Sequence, residues 1–344
     1  MNNVKREAQS TVGEQTSSEV TRSSSSSFPS STLLCVRDYD LAATLDSGQV
    51  FRWQEQRGSW LGVVGKHRVR LTQVHDGIRA ETAAPVKDWH WLRDFLQTEV
   101  DWADILETFP DDAPMRTAVA ACRGLRVLRQ DPWECLASFI LSSTKQIVQI
   151  RQIISLLCER FGESIVPSKA GRAVLCPPSE GVSSSIWEQS PGAHGVTRPT
   201  SLIGEGEIYS FPAPAQIAGA TESELRACKM GFRAPHLLAA ARQIADGKFD
   251  LNRPRHLPLP EARAELMKLR GVGGKIADCV LLFAYGFDAA FPVDVWVERA
   301  LRQLYFPRRR VMAKRLRHFA ATHFGPHAGC AQQYLFHYMR TKVE

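Results

Sequence analysis

The chain has 344 residues, 44% of them hydrophobic, enough for two domains with real cores. A net charge of +7 favours a polyanionic partner, and no run approaches the roughly 18 apolar residues of a membrane span, which predicts a soluble protein with no membrane partner. Eight scattered cysteines with no C-x-x-C pair fit free thiols in a reducing compartment and argue against a disulfide framework or a structural zinc.

Residues 1–31 are polar and serine-rich, with Ser23 to Ser27 consecutive, and are expected to form a disordered tail. This stretch has no signal-peptide core, and Glu7, Glu14 and Glu19 count against an organellar transit peptide. From Leu33 the composition changes. Gln49–Gln54, Trp60–Val64, Val69–Gln73 and Ile78–Thr82 read as short strands, with turn signals at Arg57-Gly58, Gly65-Lys66 and Asp76-Gly77. An antiparallel meander follows, within a β-rich domain over residues 32–130. Asp131-Pro132-Trp133-Glu134 then combines an N-cap, a proline at the first helical position and a capping-box glutamate, opening a helical domain over 131–344. A helix over Thr144–Phe161 places Ile147, Ile150, Ile154, Leu157 and Phe161 on one face, and Gly162 ends it. Residues 164–206 are rich in Ser, Gly and Pro and read as a disordered insertion. Helices resume over Glu222–Lys229 and Pro235–Asp246 and continue to the C-terminus, so the fold class is α+β.

Residues 269–299 carry the chemistry. A turn of Gly271, Val272, Gly273 and Gly274 leads into an apolar helix with Lys275 in its first turn. The helix ends near Gly286, and after a Phe-Pro break Asp294 stands at the start of another. Lysine is a nucleophile only as the neutral amine, and helix N-termini and apolar walls both disfavour an ammonium. A nearby carboxylate can stabilise a cation developing on a substrate. A surface lysine and an ordinary N-cap aspartate are the plain alternatives.

The whole stretch resembles the helix-hairpin-helix motif, Gly/Pro-rich loop and aspartate of base-excision DNA glycosylases. Lys275 with Asp294 is similar to the bifunctional, lyase-competent members, and the run Lys275 to Cys279 to the 8-oxoguanine DNA glycosylases. The resemblance spans residues 33–163 and 207–344. It implies an N-terminal β-rich domain, an all-α helix-hairpin-helix domain and a monomer acting on double-stranded DNA that contains oxidised guanine. It also implies attack of Lys275 on the deoxyribose anomeric carbon, a Schiff base, and β-elimination on the 3′ side. No cofactor is implied. Members often hold a cation on hairpin backbone carbonyls, but no side-chain set here demands a metal.

The resemblance assigns roles further along the chain. Gly271 and Gly273 let the hairpin backbone meet a phosphate. Cys279 and Phe336 pack on opposite faces of the extruded base, and Gln332 hydrogen-bonds its Watson–Crick edge. The Gly48 carbonyl accepts from N7–H, which 8-oxoguanine has and guanine lacks. Phe232 is the wedge and Arg233 reads the opposite cytosine. Two positions depart from the family: Thr144 and Gln149 stand where an asparagine and an arginine help hold that cytosine, so tight cytosine selectivity is not expected. The basic run Arg308, Arg309, Arg310, with Lys314, Arg315 and Arg317, is either a phosphate contact or a solvated face. Two other readings stay open: a related glycosylase with a different or broader lesion range, and a non-catalytic DNA-binding module. Location follows source, the nucleoid-bearing cytoplasm if bacterial and the nucleus if eukaryotic.

Overall fold

The computed structural model describes residues 28–143, 145–165, 208–309 and 311–342. The chain opens with strand β1 (Ser30–Cys35), helix α1 (Leu41–Asp46) and strands β2 (Trp53–Gln56), β3 (Ser59–Val64), β4 (His67–Val74) and β5 (Gly77–Thr82). They form one antiparallel sheet in the order β1-β5-β4-β3-β2, so the expected meander is extended at one edge by the incoming strand. The β2–β3 hairpin turns on Arg57 (φ 51°) and Gly58 (φ 78°). That pair of left-handed residues matches the twist of the flanking strands.

Helices follow: α2 (His90–Leu96), α3 (Trp102–Glu107), α4 (Ala113–Ala121), α5 (Pro132–Ser142), α6 (Ile147–Phe161), α7 (Pro214–Ala218), α8 (Glu222–Ala227) and α9 (Ala234–Ala245). The C-terminal part holds α10 (Leu259–Leu266), α11 (Gly274–Val280), α12 (Val295–Tyr305), α13 (Ala313–His323) and α14 (Ala328–Thr341). Helix α5 is capped by Asp131, whose Oδ1 accepts from the Glu134 N–H at 2.9 Å. It is buried from Cys135 through Ser142, the signature of a central core helix. The α+β class is as expected.

Several details differ from the sequence reading. Strand β1 starts at Ser30, inside the stretch expected to be tail, because Leu34 and Phe28 are buried. Residues 49–52 are not strand. Gly48 has φ 79°, and the buried Gln49 side chain ties its own segment to the loop over residues 125–128 instead of to a neighbouring strand. Ser164, placed in the expected insertion, forms an antiparallel bridge with Tyr209. The Ile165 N–H donates to the Ile208 carbonyl at 2.7 Å, so the chain leaves and returns at adjacent points. The rest of the expected insertion and the tail through residue 27 lie outside the described residues.

Two apolar clusters result. One lies under the sheet and includes Leu34, Val50, Trp53, Leu71, Ile78 and Leu92. The other fills the helical body and takes in Trp102, Ile105, Phe109 and Met115 from α3, α4 and the segment between them. Residues 50 and 51 point opposite ways, Val50 into the first cluster and Phe51 into the second. Tyr334 of α14 closes the helical body. Its hydroxyl accepts from Trp102 Nε1 at 2.9 Å and donates to the Leu125 carbonyl at 2.8 Å, with no exposure to solvent. Tyr334→Phe strands both partners, and urea unfolding should show a loss of about 1–3 kcal/mol at unchanged m-value.

Candidate active site

The hairpin between α10 and α11 turns at Gly271, with φ 87°. A Cβ there would stand 2.6 Å from the Cβ of His236, so only glycine lets α9 pass beneath the turn. Gly273 is the extended N-cap of α11 and is exposed, with no other atom within 4 Å of where its Cβ would be. Both glycines therefore leave backbone open to solvent at the hairpin tip.

Lys275, the second residue of α11, is half-buried. Its Nζ lies 5.7 Å from the centroid of Phe139, whose ring stacks on Phe283 and meets Phe51 edge-on. It forms no ion pair with a described residue. Helix α11 then loosens into a π turn over Leu281–Tyr285 and stops at Gly286 (φ 78°). The carboxylate of Asp294 caps α12 with one oxygen only: Oδ1 accepts from Trp296 N at 2.9 Å and Val297 N at 2.8 Å. Oδ2 has no described hydrogen-bond partner. Capping therefore uses one oxygen of the carboxylate and leaves the other with no described partner.

Cys279 lies one turn after Lys275 and is 3% exposed. Burial pushes its thiol up to about 12; Lys275 pulls it down, while Asp294 and Asp278 push it further up. The lysine, the aspartate and the cysteine therefore share one locality. At neutral pH the thiol is protonated and presents an apolar surface. Asp278, three residues after Lys275, has its Oδ1 2.6 Å from Arg263 Nε. Burial raises its carboxyl to about 6, against the pull of Arg263, and the pair braces α10 to α11.

Opposite stands α14. Gln332 is 4% exposed, and its amide oxygen has no hydrogen-bond partner among the described residues. Phe336, one turn on, is half-buried beside Gly48: a Cβ on Gly48 would be 3.3 Å from the phenylalanine ring and 3.2 Å from Ile147. The Gly48 carbonyl accepts no hydrogen bond from a described residue. Phe51, three residues on, reaches the aromatic wall beneath Lys275.

The remaining expected residues fall elsewhere. Phe232 is 57% exposed in a single 3₁₀ turn over Gly231–Arg233, just after two left-handed residues, Lys229 and Gly231. Arg233 is turned inward. It is buried, and its guanidinium donates to the Met230 and Ser143 carbonyls and lies 4.2 Å from the Phe232 ring. In this state it faces the protein and not a partner base. Gln149 is exposed and closes the start of α6, its Oε1 accepting from the Gln146 N–H at 3.3 Å. Thr144 and Arg310 lie outside the described residues. Arg308, Arg309, Lys314, Arg315 and Arg317 are exposed. A cavity of about 830 Å³ between the sheet and α5, lined by Arg52, Trp91, Glu134 and Tyr285, contains none of the expected residues. Among the described residues no cluster of three or more His, Cys, Asp or Glu side chains could hold a metal ion.

Sequence reasoning missed Phe139, Gln49, Gln333 and Arg340. Phe139 sits in an unbroken apolar helix, where no signal separates a core ring from the wall of a site. The three polar residues show their importance only through burial and long-range bonds.

Residues 32–136 match the family described as 8-oxoguanine DNA glycosylase, N-terminal domain, and residues 137–322 the HhH-GPD superfamily of base excision DNA repair proteins. A probable N-glycosylase/DNA lyase of Methanothermobacter thermautotrophicus is 28% identical over 336 residues, covering 89% of this chain and 95% of that one. The structure of MBOgg1 in complex with a low-affinity DNA ligand is 29% identical with a TM-score of 0.75, covering 90% of this chain and 94% of that one. The 8-oxoguanine glycosylase/lyase of Clostridium acetobutylicum, solved with double-stranded DNA containing cytosine opposite 8-oxoG, is 27% identical with a TM-score of 0.74, covering 92% of this chain and all of that one.

The observed cap and the expected charge-dependent role of Asp294 can be separated by substitution. Asparagine is as good a cap as aspartate but carries no charge. Asp294→Asn should unfold within about 0.5 kcal/mol of wild type and lose roughly 10²-fold or more in base release. Asp294→Ala should lose the same activity and about 1 kcal/mol of stability besides. Denaturant titration beside single-turnover kinetics checks both.

Proposed function

The chain belongs to the HhH-GPD superfamily of base excision DNA repair proteins, and from that premise we infer that it is a DNA-binding, bifunctional 8-oxoguanine DNA glycosylase and abasic-site lyase. The observation that carries the choice of base is a pair of acceptors without donors: the buried amide oxygen of Gln332 and the Gly48 carbonyl, on either side of Phe336. A buried polar group left unpaired costs free energy, so the pocket favours a ligand that brings donors. The Watson–Crick edge of a guanine brings N–H donors to Gln332. Only the oxidised base adds an N7–H for Gly48, while guanine would set a lone pair against the carbonyl.

In this reading the base is drawn from the stack and held between Cys279 and Phe336, while Phe232 fills the space left in the duplex. The Lys275 amine attacks C1′. The N–C1′ bond forms as the glycosidic bond breaks, and the electron pair leaves on the base, which then takes up a proton. The free Oδ2 of Asp294 stabilises the positive charge developing on the sugar. Ring opening gives the Schiff base, loss of a C2′ proton follows, and the 3′ phosphate departs. The hairpin backbone at Gly271 and Gly273 and the exposed cations before and along α13 hold the phosphates. Only one partner-base reader of the family pattern, Arg233, is retained, and Gln149 is occupied in capping α6. We expect a monomer working on chromosomal DNA, with modest preference for the opposite base.

The test uses duplexes carrying 8-oxoguanine opposite C, A, G or T, with and without borohydride. Wild type should release the base and give a trapped covalent complex, with rates opposite C and A within about 10-fold, the scale of one lost base contact. Lys275→Gln should keep lesion binding and lose base release and trapping. Near wild-type excision by that variant would sink the nucleophile assignment, and no excision on any duplex would move the reading to another lesion.

A further inference from the structure

Discrimination at N7 depends on where one carbonyl points, and Gly48 cannot fix its own. With φ at 79° and no side chain, its flanking peptide planes turn freely unless something outside holds them. Four consecutive carbonyls show how this is solved. Asp46 O accepts from Arg340 Nη1 at 3.1 Å, Ser47 O from Gln333 Nε2 at 3.0 Å, and Gln49 O from Gln130 Nε2 at 2.8 Å. Of the four, only Gly48 O accepts from no described residue. The Gln49 side chain adds a second anchor, donating to the Thr44 and Arg126 carbonyls and accepting from the Leu128 N–H.

Two of these pins come from α14. Gln333 and Arg340 are seven residues apart and so share one face of the helix, turned to the loop over residues 46–49. Gln332 and Phe336, four apart, line the base pocket from the same helix. The bond from Gln333 is buried at both ends and joins residues 286 apart in the sequence. It holds the peptide plane directly before the discriminating carbonyl in register with the groups that grip the base.

We propose that Gln333 is a specificity-determining positioning residue, which by fixing Ser47 O aims the Gly48 carbonyl at N7 of the lesion. The inference rests on the reading of Gly48 given above. It differs from a plain core hydrogen bond in what its loss should do. Lys275 and Asp294 sit on α11 and α12, which this bond does not touch. Strand cleavage at a preformed abasic site uses those two groups but no base. A loose Gly48 carbonyl should therefore harm removal of 8-oxoguanine and spare lyase action.

Single-turnover rates would be measured for the full chain on an 8-oxoguanine:C duplex and on the same duplex with a preformed abasic site. Gln333→Met keeps the side-chain volume and removes the donor; Gln333→Glu keeps the shape and offers only acceptors. Both should slow 8-oxoguanine release roughly 10- to 100-fold, the scale expected when a buried recognition contact is lost, with abasic-site cleavage within about 2-fold of wild type. Abasic-site cleavage also reports that a variant is folded, so if the methionine variant has none the glutamate variant decides. Unchanged 8-oxoguanine release, or equal loss of both activities in both variants, would overturn the proposal. If wild type itself cleaves abasic sites and spares 8-oxoguanine, the reading of the pocket fails, and this inference fails with it.

Discussion

Gln49 lies between two hydrophobic cores with no exposure to solvent, and a buried amide must find all its partners within the protein. Its Nε2 donates to the Thr44 carbonyl, the Ser47 hydroxyl and the Arg126 carbonyl, and its Oε1 accepts from Leu128 N. Satisfying those groups draws the loop after α1 onto the segment over residues 125–130, the hinge between the sheet and the helical body. Val50 and Phe51 can then point into different cores. The position of Gly48, whose carbonyl accepts from no described residue, depends on that arrangement because it belongs to the same loop.

A partly buried ion pair reinforces the junction. Arg52 Nη1 lies 3.3 Å from Glu134 Oε2, with the arginine side chain 9% exposed. Burial raises the Glu134 carboxyl, and Arg52 opposes the shift. Such a pair adds little net stability, yet removing one member would leave a buried charge alone. Its role is geometric. Arg52 also donates to the Tyr209 carbonyl, so the sheet, α5 and the point where the chain returns from residues 166–207 meet at one guanidinium.

The residues proposed for chemistry sit at helix starts, and the proposed wedge does not. Lys275 and Asp294 open helices packed in the larger core, so their separation is set by packing. Phe232 instead rides a turn with two left-handed residues, one of them the non-glycine Lys229, where backbone strain is tolerated and rearrangement is local. Arg233 lies inward on the same turn, donating to the Met230 and Ser143 carbonyls.

The meander, the capped α5, the helix expected over residues 144–161 and found over Ile147–Phe161, and the hairpin helices were legible in the sequence because each follows from local rules: alternation, turn pairs, caps and helical spacing. The lysine, the aspartate and the one-turn spacings of Cys279 and Phe336 were legible for the same reason, since a helix fixes which neighbours share a face. Locally ambiguous stretches were misread. Gln49–Gln54 alternates like a strand, yet a left-handed glycine and a buried glutamine make it a loop. Two adjacent glutamines, Gln332 and Gln333, look alike in sequence. Tertiary structure gives one a partner in Ser47 and leaves the other's oxygen with none among the described residues. The sequence by itself determined which groups are present and on which helical face they lie. Only tertiary structure decided which acceptors are satisfied and which wait for a ligand, because that depends on contacts between segments hundreds of residues apart.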